Sequence, residues 1–156
     1  MTESPDAPQR VACAQIEANV DDLDPRIWPH VIETLLAAGA HDAWVSPIVM
    51  KKGRPAFTLG VLCALADLET IRSLVFAETS TIGLREWEVT KHVLPRAIEP
   101  VEVAGQRIDT KVARLDGDIV NRSIEWDDVV RVGTSLGLAP KAVLAAAVAA
   151  AAELGP

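Results

Sequence analysis

The stretch "DAWVSPIVMKKGRPAFTLGVLCAL", residues 42–65, decides which fold this sequence predicts. It contains two extended runs, 42–50 and 56–65, joined by "KKGRP", in which a glycine and a proline favour a tight turn. In the second run both sets of alternating positions are mostly apolar, which is typical of a strand that is covered on both faces. The stretch therefore predicts a hairpin whose second strand lies inside a sheet.

The segments on either side of this hairpin each combine a strand with a helix. Before it, residues 11–18 form an apolar-rich strand, and residues 25–38 carry apolar side chains at helical spacing until Gly39 ends the helix. After it, Asp67 is expected to cap a second amphipathic helix. "LREWEVTKHVL", residues 84–94, then has the alternation of a half-exposed strand.

The resulting order of strand, helix, strand, strand, helix, strand predicts an α+β fold. For residues 11–94 we expect a ferredoxin-like split βαβ sandwich, with two helices on one face of a four-stranded antiparallel sheet. Residues 95–156 are expected to add a β-hairpin region, with turns at "AGQ" and "DGD", and two helices that begin near Glu125 and at Pro140. We expect both lobes to pack as one unit and residues 1–10 to form a disordered leader.

Composition excludes some classes of function. The formal net charge of −7 argues against nucleic-acid binding, which requires a basic surface. No apolar run is long enough to span a membrane, and "MTESPDAPQR" lacks the apolar region of a signal peptide, so we expect a cytoplasmic location. Cys13 and Cys63 are far apart and belong to no ligand motif, which favours reduced, half-buried packing residues over a disulfide or a metal-ligand pair.

Three aspartates end the first strand in "IEANVDDLDP", residues 16–25. Asp24 stands directly before a proline at a helix start, where an N-cap explains it. Asp21 and Asp22 precede that cap, and adjacent carboxylates repel each other unless they are solvated or bind a cation. Their hard oxygen atoms suit Mg²⁺ or Mn²⁺. A solvated loop and a cation site are both open at this point.

The hairpin turn supplies the opposite charge. Lys51, Lys52 and Arg54 lie within four residues, and a combination of lysine and arginine matches a polyphosphate. A solvated basic hairpin tip is the alternative. In "ETSTIGLR", at the end of the second helix, Gly83 is interpreted as a C-cap, while Arg85 could contact an anion or be an ordinary surface residue.

Four motifs occur in a fixed order along the chain: "IEANVDDLDP" (16–25), "HDAWVSPIVMKKGRP" (41–55), "ETSTIGLR" (78–85) and "KVARLDGDIVN" (111–121). Together they resemble the C-terminal domain of the nickel insertion protein LarC family. The resemblance implies a CTP-dependent nickel-inserting cyclometallase, of the lyase class. Such an enzyme converts pyridinium bisthiocarboxylic acid mononucleotide into the nickel-pincer nucleotide used in lactate racemase maturation, with Ni²⁺ as the inserted metal.

The resemblance also implies roles for individual residues. It implies that this domain binds CTP together with Mn²⁺ or Mg²⁺. Asp21 and Asp22 match the acidic pair of the family and become candidate ligands of the divalent metal. The residues that become candidate CTP contacts are Lys51, Lys52, Arg54, Thr81, Arg85 and Asn121. No catalytic residue is assigned.

Two departures from the family pattern qualify these roles. Ala18 stands where the family usually has a hydroxyl residue, which would remove one polar contact. The larger N-terminal domain of the family has no counterpart in this sequence, so nickel delivery is expected to need an N-terminal domain or a separate N-terminal subunit as partner. The resemblance further implies a homo-oligomer built from trimers. The rival interpretation is a non-catalytic ferredoxin-like module that binds an effector or assembles subunits.

Overall fold

The computed structural model describes residues 7–155. The chain forms two compact units, one comprising Arg10–Lys91 and the other extending from His92 onward. The predicted leader, residues 1–10, lies mostly outside the described residues, and Gln9 and Arg10 already belong to the first strand. The predicted packing of the two lobes as one unit stays a prediction.

The first unit has the predicted alternation of strands and helices. Its elements are β1 (Gln9–Val20), α1 (Trp28–Ala37), β2 (Asp42–Met50), β3 (Arg54–Ala64), α2 (Leu68–Glu78) and β4 (Arg85–Val93). The strands form one sheet in the order β2-β3-β1-β4, and β3 pairs antiparallel with both β1 and β2. This is the strand order of the split βαβ arrangement, so the predicted α+β fold is confirmed.

Local signals explain where the helices begin and end, with one exception. A 3-10 turn, Pro25–Ile27, precedes α1, and Gly39 follows the helix with φ +102°, a conformation that favours glycine. Asp67 occupies the N-cap position of α2, but its side chain makes no capping hydrogen bond. The prediction that this side chain caps the helix is therefore wrong.

The register between β1 and β3 divides the sheet into two faces. Ile16 pairs with Val61 and Ala18 with Leu59, and these four side chains lie in the core beneath α1 and α2. Two neighbouring pairs on the opposite, open face, Glu17 with Gly60 and Asn19 with Thr58, contain only polar or small residues. The fully buried residues that complete the helix-side core include Val31, Leu35, Cys63, Ile71 and Val75.

The two cysteines occupy opposite faces of this sheet. Cys63 pairs in register with Ala14, whereas Cys13 pairs with Ala64, so their side chains are directed to different sides. Both are free and fully buried, which confirms that they form no disulfide and corrects the expectation of half-buried thiols. Burial raises the pKa of the Cys63 thiol, so the protonated form is favoured.

The second unit extends the predicted hairpin by one strand. It contains β5 (Arg96–Val103), β6 (Gln106–Leu115), β7 (Asp118–Ile124), α3 (Trp126–Leu136) and α4 (Pro140–Ala152). The strands form an antiparallel sheet, β5-β6-β7, with turns at Ala104–Gly105 and Asp116–Gly117 where both residues have positive φ. This unit has its own hydrophobic core, whose fully buried residues include Ile108, Val129, Val132 and Ala147.

Within residues 7–155, no single helix is long and apolar enough to cross a membrane. Only α3 and α4 taken together meet that test of length and composition, and they are bent by 119° at the break between them.

Candidate functional site

The three aspartates of "DDLDP" have separate environments. β1 ends at Val20, and Asp24 then caps the 3-10 turn, because its carboxylate accepts a hydrogen bond from the Arg26 backbone N–H at 3.0 Å. The Arg26 guanidinium also donates to this carboxylate. These hydrogen bonds, first from the side chain and then from the backbone of Arg26, lower the pKa of Asp24. The predicted N-cap is confirmed.

Asp21 and Asp22 contact two different segments of the chain. The Asp21 carboxylate accepts a hydrogen bond from Arg54 Nη1 at 3.0 Å, and the residues are 33 positions apart in sequence. Asp22 accepts one from the Ser80 hydroxyl, which lies just after α2. The fold therefore brings the acidic pair together with one cation of the hairpin.

A cavity of about 380 Å³ lies between the end of β1 and the segment after α2. Its lining residues are Asn19, Val20, Asp21, Asp22, Ser80, Thr81, Ile82 and Gly83. We call it the carboxylate cavity. Its polar side chains offer carboxylate, amide and hydroxyl oxygens, which are the donors that Mg²⁺ and Mn²⁺ prefer.

The described residues of the carboxylate cavity supply only part of a metal ion's coordination shell. Residues 7–155 contain no group of three or more His, Cys, Asp or Glu side chains that could hold a metal ion. Mg²⁺ sites formed by one or two carboxylates are commonly completed by phosphate oxygens and water. Asp21 and Asp22 therefore fit a metal that arrives with a phosphate-bearing ligand.

The basic hairpin presents its three cations differently. Lys51 and Lys52 lie in a 3-10 turn, Lys51–Gly53, and Lys52 has φ 63°. Both lysines are exposed, and neither forms an ion pair with another of the residues 7–155. Arg54 begins β3 and is held by Asp21. Two of the three predicted phosphate contacts thus have charge available to a ligand.

Arg85 is already paired on the open face of the sheet. Its Nη2 donates to Glu17 Oε2 at 2.7 Å and to Asn19 Oδ1 at 3.2 Å, and Asn19 also accepts from Thr58. In this structure Arg85 is a half-exposed residue that forms an ion pair with Glu17, and its contact with CTP stays a prediction. It orients Glu17 and Asn19, and Asn19 lines the carboxylate cavity.

The segment after α2 is shaped by hydroxyl groups. α2 ends at Glu78 with Thr79 at its C-cap, so the interpretation of Gly83 as the C-cap is wrong. Thr81 lines the carboxylate cavity, but its hydroxyl donates to the Gly83 carbonyl oxygen at 2.7 Å. Thr81 thus shapes the loop, and its hydroxyl hydrogen is already used in this hydrogen bond.

Sequence reasoning missed three residues of this region, Glu17, Asn19 and Ser80. The polar alternation of "QIEAN", residues 15–19, could have indicated the first two as one face of β1. Ala18 belongs to the other face and is fully buried in the helix-side core. A side chain there is directed away from the open face, so its lack of a hydroxyl removes no contact on that face.

Asn121 lies in the second unit. It is part of β7 and pairs with Ala113 of β6 in the antiparallel register. Its contact with a nucleotide stays a prediction.

Comparison with known proteins identifies relatives along nearly the whole chain. The family described as "Nickel insertion protein" matches residues 1–144. The pyridinium-3,5-bisthiocarboxylic acid mononucleotide nickel insertion protein of Nocardioides sp. (strain ATCC BAA-499 / JS614) is 55% identical over 134 residues, covering 86% of this chain and 34% of that protein. A putative nickel insertion protein of Myxococcus xanthus (strain DK1622) is 40% identical over 141 residues, covering 90% and 35%. The chain thus spans about a third of the length of these relatives.

Solved structures show the same fold. The C-terminal domain of a cyclometallase involved in the synthesis of the NPN cofactor of lactate racemase, in its apo form, matches with a TM-score of 0.86 and 30% identity. The match covers 93% of this chain and 100% of that domain. A protein from Methanopyrus kandleri AV19 matches with a TM-score of 0.61 at 21% identity, which shows the fold alone.

Replacing Asp24 tests the cap and its pH dependence. Asp24→Ala is expected to lower the free energy of unfolding at neutral pH, because the N-cap and the ion pair with Arg26 are lost. The pKa of Asp24 lies below its ordinary value of 3.8 in the folded protein. Its contribution is therefore fully present above pH 3.8 and is lost as the pH falls through the lower, folded-state pKa.

Urea unfolding of the parent and Asp24→Ala at neutral pH, and in steps below the ordinary carboxyl pKa, measures this difference. Asp24→Asn, which can cap but carries no charge, should be less destabilised. A stability gap between parent and Asp24→Ala that is the same at every pH would contradict the assignment.

Proposed function

This chain belongs to the nickel insertion protein family, as a C-terminal domain of it, and from that premise we propose that it binds CTP with Mn²⁺ or Mg²⁺ at the carboxylate cavity. The observation that carries the proposal is the ion pair between Asp21 and Arg54. In this pair a carboxylate, a kind of group that suits a metal ion, accepts at 3.0 Å from a guanidinium, a kind of group that suits phosphate, although Asp21 follows the end of β1 and Arg54 begins β3.

Each charged residue has a distinct part in this proposal. Asp21 and Asp22 would hold the metal, which when bound would withdraw charge from the phosphate groups. Lys51, Lys52 and Arg54 neutralise the triphosphate. In a nucleotidylation, an atom of the substrate's thiocarboxylate would bond to the α-phosphorus while the bond to pyrophosphate breaks. The hairpin cations would then stabilise the negative charge that the departing pyrophosphate gains.

Two further candidates, Arg85 and Thr81, already donate hydrogen bonds to other residues of the protein, so we propose that they support the shape of the site. Arg85 positions Asn19 and Glu17, and Thr81 fixes the loop after α2. Asn121 belongs to the second unit and stays a candidate CTP contact only as the resemblance implies. Asn19 lines the carboxylate cavity, where its side-chain oxygen would be a further candidate ligand of a divalent cation.

The activity of the whole protein follows from the family. We assign this chain to the conversion of pyridinium bisthiocarboxylic acid mononucleotide into the nickel-pincer nucleotide by a CTP-dependent cyclometallase of the lyase class. Ni²⁺ is the substrate metal, and an N-terminal domain or separate subunit would deliver it. The free thiols of Cys13 and Cys63 support a reducing, cytoplasmic location.

Calorimetric titration of CTP, with Mn²⁺ and with chelator, tests the site. Asp22→Ala should abolish the gain in CTP affinity that Mn²⁺ provides, because one metal ligand is lost. Lys51→Ala should weaken CTP about tenfold or more under both conditions, since a hydrogen bond to a charged group contributes ~1.5–3 kcal/mol.

The matched controls are Asp24→Ala, in the same loop as Asp22, and Lys141→Ala, at the start of α4; both should bind CTP as the parent does. A melting scan with each nucleoside triphosphate separates the rival interpretation. Selective stabilisation by CTP supports this proposal, whereas indifference to every nucleotide supports a module that only binds another effector or assembles subunits.

Arg54 is expected to couple metal and nucleotide. In the ligand-free protein it is the counter-ion of Asp21, so it competes with a metal ion and is released when the metal binds. Arg54→Gln should therefore tighten Mn²⁺ binding measured without nucleotide, by a few-fold, since exposed ion pairs contribute ~0.2–1 kcal/mol. The same variant should lower the affinity for CTP. As a control, Lys51→Gln should lower the affinity for CTP without changing the affinity for Mn²⁺. Equal Mn²⁺ affinity in the parent and Arg54→Gln would refute the coupling.

Assembly is the last part of the proposal. The helices of the first unit cover one face of its sheet, and the family resemblance implies a homo-oligomer built from trimers. Light scattering across micromolar concentrations should report a multiple of three chains. A monomer at every concentration would remove this part of the proposal and leave nucleotide binding to stand alone.

A further inference from the structure

The second unit has a cavity of its own, of about 190 Å³. Its lining residues are Pro95, Arg96, Ala97, Val112 and Arg114, and none of them lines the carboxylate cavity. It lies where β5 begins and β6 nears its end, and the Arg114 backbone N–H donates to the Pro95 carbonyl oxygen at 3.0 Å across this edge. We call it the arginine cavity.

The floor of the arginine cavity is apolar and is set by the strand register. Ala97 pairs with Val112, which is fully buried. Because side chains alternate along a strand, Arg114 stands on the same side of β6 as Val112. By the same rule Glu99 stands on the same side of β5 as Ala97. The register thus places a guanidinium and a carboxylate on one face, on either side of an apolar pair.

Two guanidinium groups border this floor, and only one of them is neutralised. Arg114 Nη2 donates to Glu99 Oε1 at 3.1 Å, and these side chains are 25% and 29% exposed. Arg96 is exposed and forms no ion pair with another of the residues 7–155. The arginine cavity therefore has an excess of positive charge, in a chain whose net charge is −7.

A third guanidinium adds to this charge from β7. Arg122 pairs in register with Val112, so it stands on the same face of the sheet as the floor. Its Nη2 donates to the Leu154 carbonyl oxygen at 2.7 Å, while its Nε is buried and has no hydrogen-bond partner among the described residues. Positive charge that no carboxylate of the protein balances attracts an anion from solution.

We propose that the arginine cavity binds a phosphomonoester. Arg114 already has a carboxylate partner in Glu99, so a carboxylate ligand would only exchange like for like. A phosphomonoester carries about −1.5 to −2 charges near neutral pH and three acceptor oxygens, so it can accept hydrogen bonds from Arg96 and Arg114 together. The guanidinium fork also matches the geometry of phosphate oxygens. Charge and donor geometry thus both favour a phosphomonoester over a carboxylate.

The size of the arginine cavity limits what it encloses. Sites that enclose a whole drug-sized ligand commonly measure ~300–1,000 Å³, so a cavity of about 190 Å³ suits a phosphate group whose attached ligand lies outside. Free phosphate and the phosphate of a mononucleotide share this chemistry. The substrate of the proposed reaction is a mononucleotide, and the inference rests on the proposed function for that source alone.

The test follows the backbone amide NMR signals of Ala97 and Val112, so that binding at the arginine cavity is read separately from binding at the basic hairpin. The probes are inorganic phosphate, nicotinamide mononucleotide and acetate, titrated without divalent metal at constant ionic strength. The first two should shift both signals, and acetate should bind about tenfold or more less tightly, since it offers fewer charged acceptors. A response to phosphate without one to nicotinamide mononucleotide would support the cavity and exclude the mononucleotide as its ligand.

Two variants should change the phosphate affinity in opposite directions. Arg96→Gln removes a guanidinium donor and should lower the affinity about tenfold or more. Glu99→Gln releases Arg114 from its counter-ion and should raise the affinity a few-fold, a gain that damage to the fold would not produce. Arg107→Gln, at an exposed arginine of β6 that pairs with Asp109, is the matched control and should bind phosphate as the parent does.

Three results would overturn the inference: no response to either phosphate-bearing probe, equal affinity for acetate and phosphate, or unchanged phosphate affinity in Arg96→Gln. None of them bears on the carboxylate cavity. Failure of the proposed function would appear instead as a parent protein that does not bind Mn²⁺–CTP while Ala97 and Val112 still respond to phosphate.

Discussion

The register of β1 against β3 is the constraint on which the rest of the first unit depends. Ala18 opposite Leu59 lies in the core, so its neighbours Glu17 and Asn19 are directed to the open face. Because side chains alternate along a strand, a slip of one residue would bury these polar groups and expose the core set. The same register fixes where β1 ends, and hence where Asp21 and Asp22 leave the sheet. The position of the acidic pair is thus a consequence of how an apolar strand is packed.

Charge at this end of the sheet is held in pairs that a ligand can exchange. The Arg54 side chain is 60% exposed and that of Asp21 26%, so their ion pair is solvated and weak compared with a buried one. Arg85 and Glu17 form a similar pair, at 51% and 24%. In a chain of net charge −7 these pairs limit repulsion around the acidic loop while no ligand is bound. Under the proposed function, a metal ion and a polyphosphate would together replace one such pair with two stronger interactions, so each should bind better in the presence of the other.

Local sequence signals were sufficient for the fold but not for the contacts of the site. Periodicity of two or 3.6 residues located the elements of both units, and "KKGRP" located the hairpin turn. Arg85 could not be assigned, since its partner Glu17 is 68 positions away and only the sheet order brings them together. Gly83 was misread because Thr79, through a hydrogen bond from its hydroxyl to the Val75 carbonyl, ends α2 four residues earlier. Cavities have no sequence signature, since their walls come from segments far apart in sequence, as in the carboxylate cavity, which residues 19–22 and 80–83 line.

The turn geometry of the hairpin tip separates fixed from adaptable parts of the site. Lys52 and Gly53 have φ of 63° and 69°, and Ala104–Gly105 and Asp116–Gly117, at the turns of the second sheet, show the same pair of left-handed residues. Since the same geometry occurs at turns without clustered cations, it is a property of tight hairpins and no evidence of function. What it does is hold the backbone of the basic hairpin, so that two long, mobile ammonium groups extend from a rigid support. Because a lysine ammonium attracts any phosphate as a point charge, selectivity under the proposed function would have to come from the carboxylate cavity that Asp21 lines.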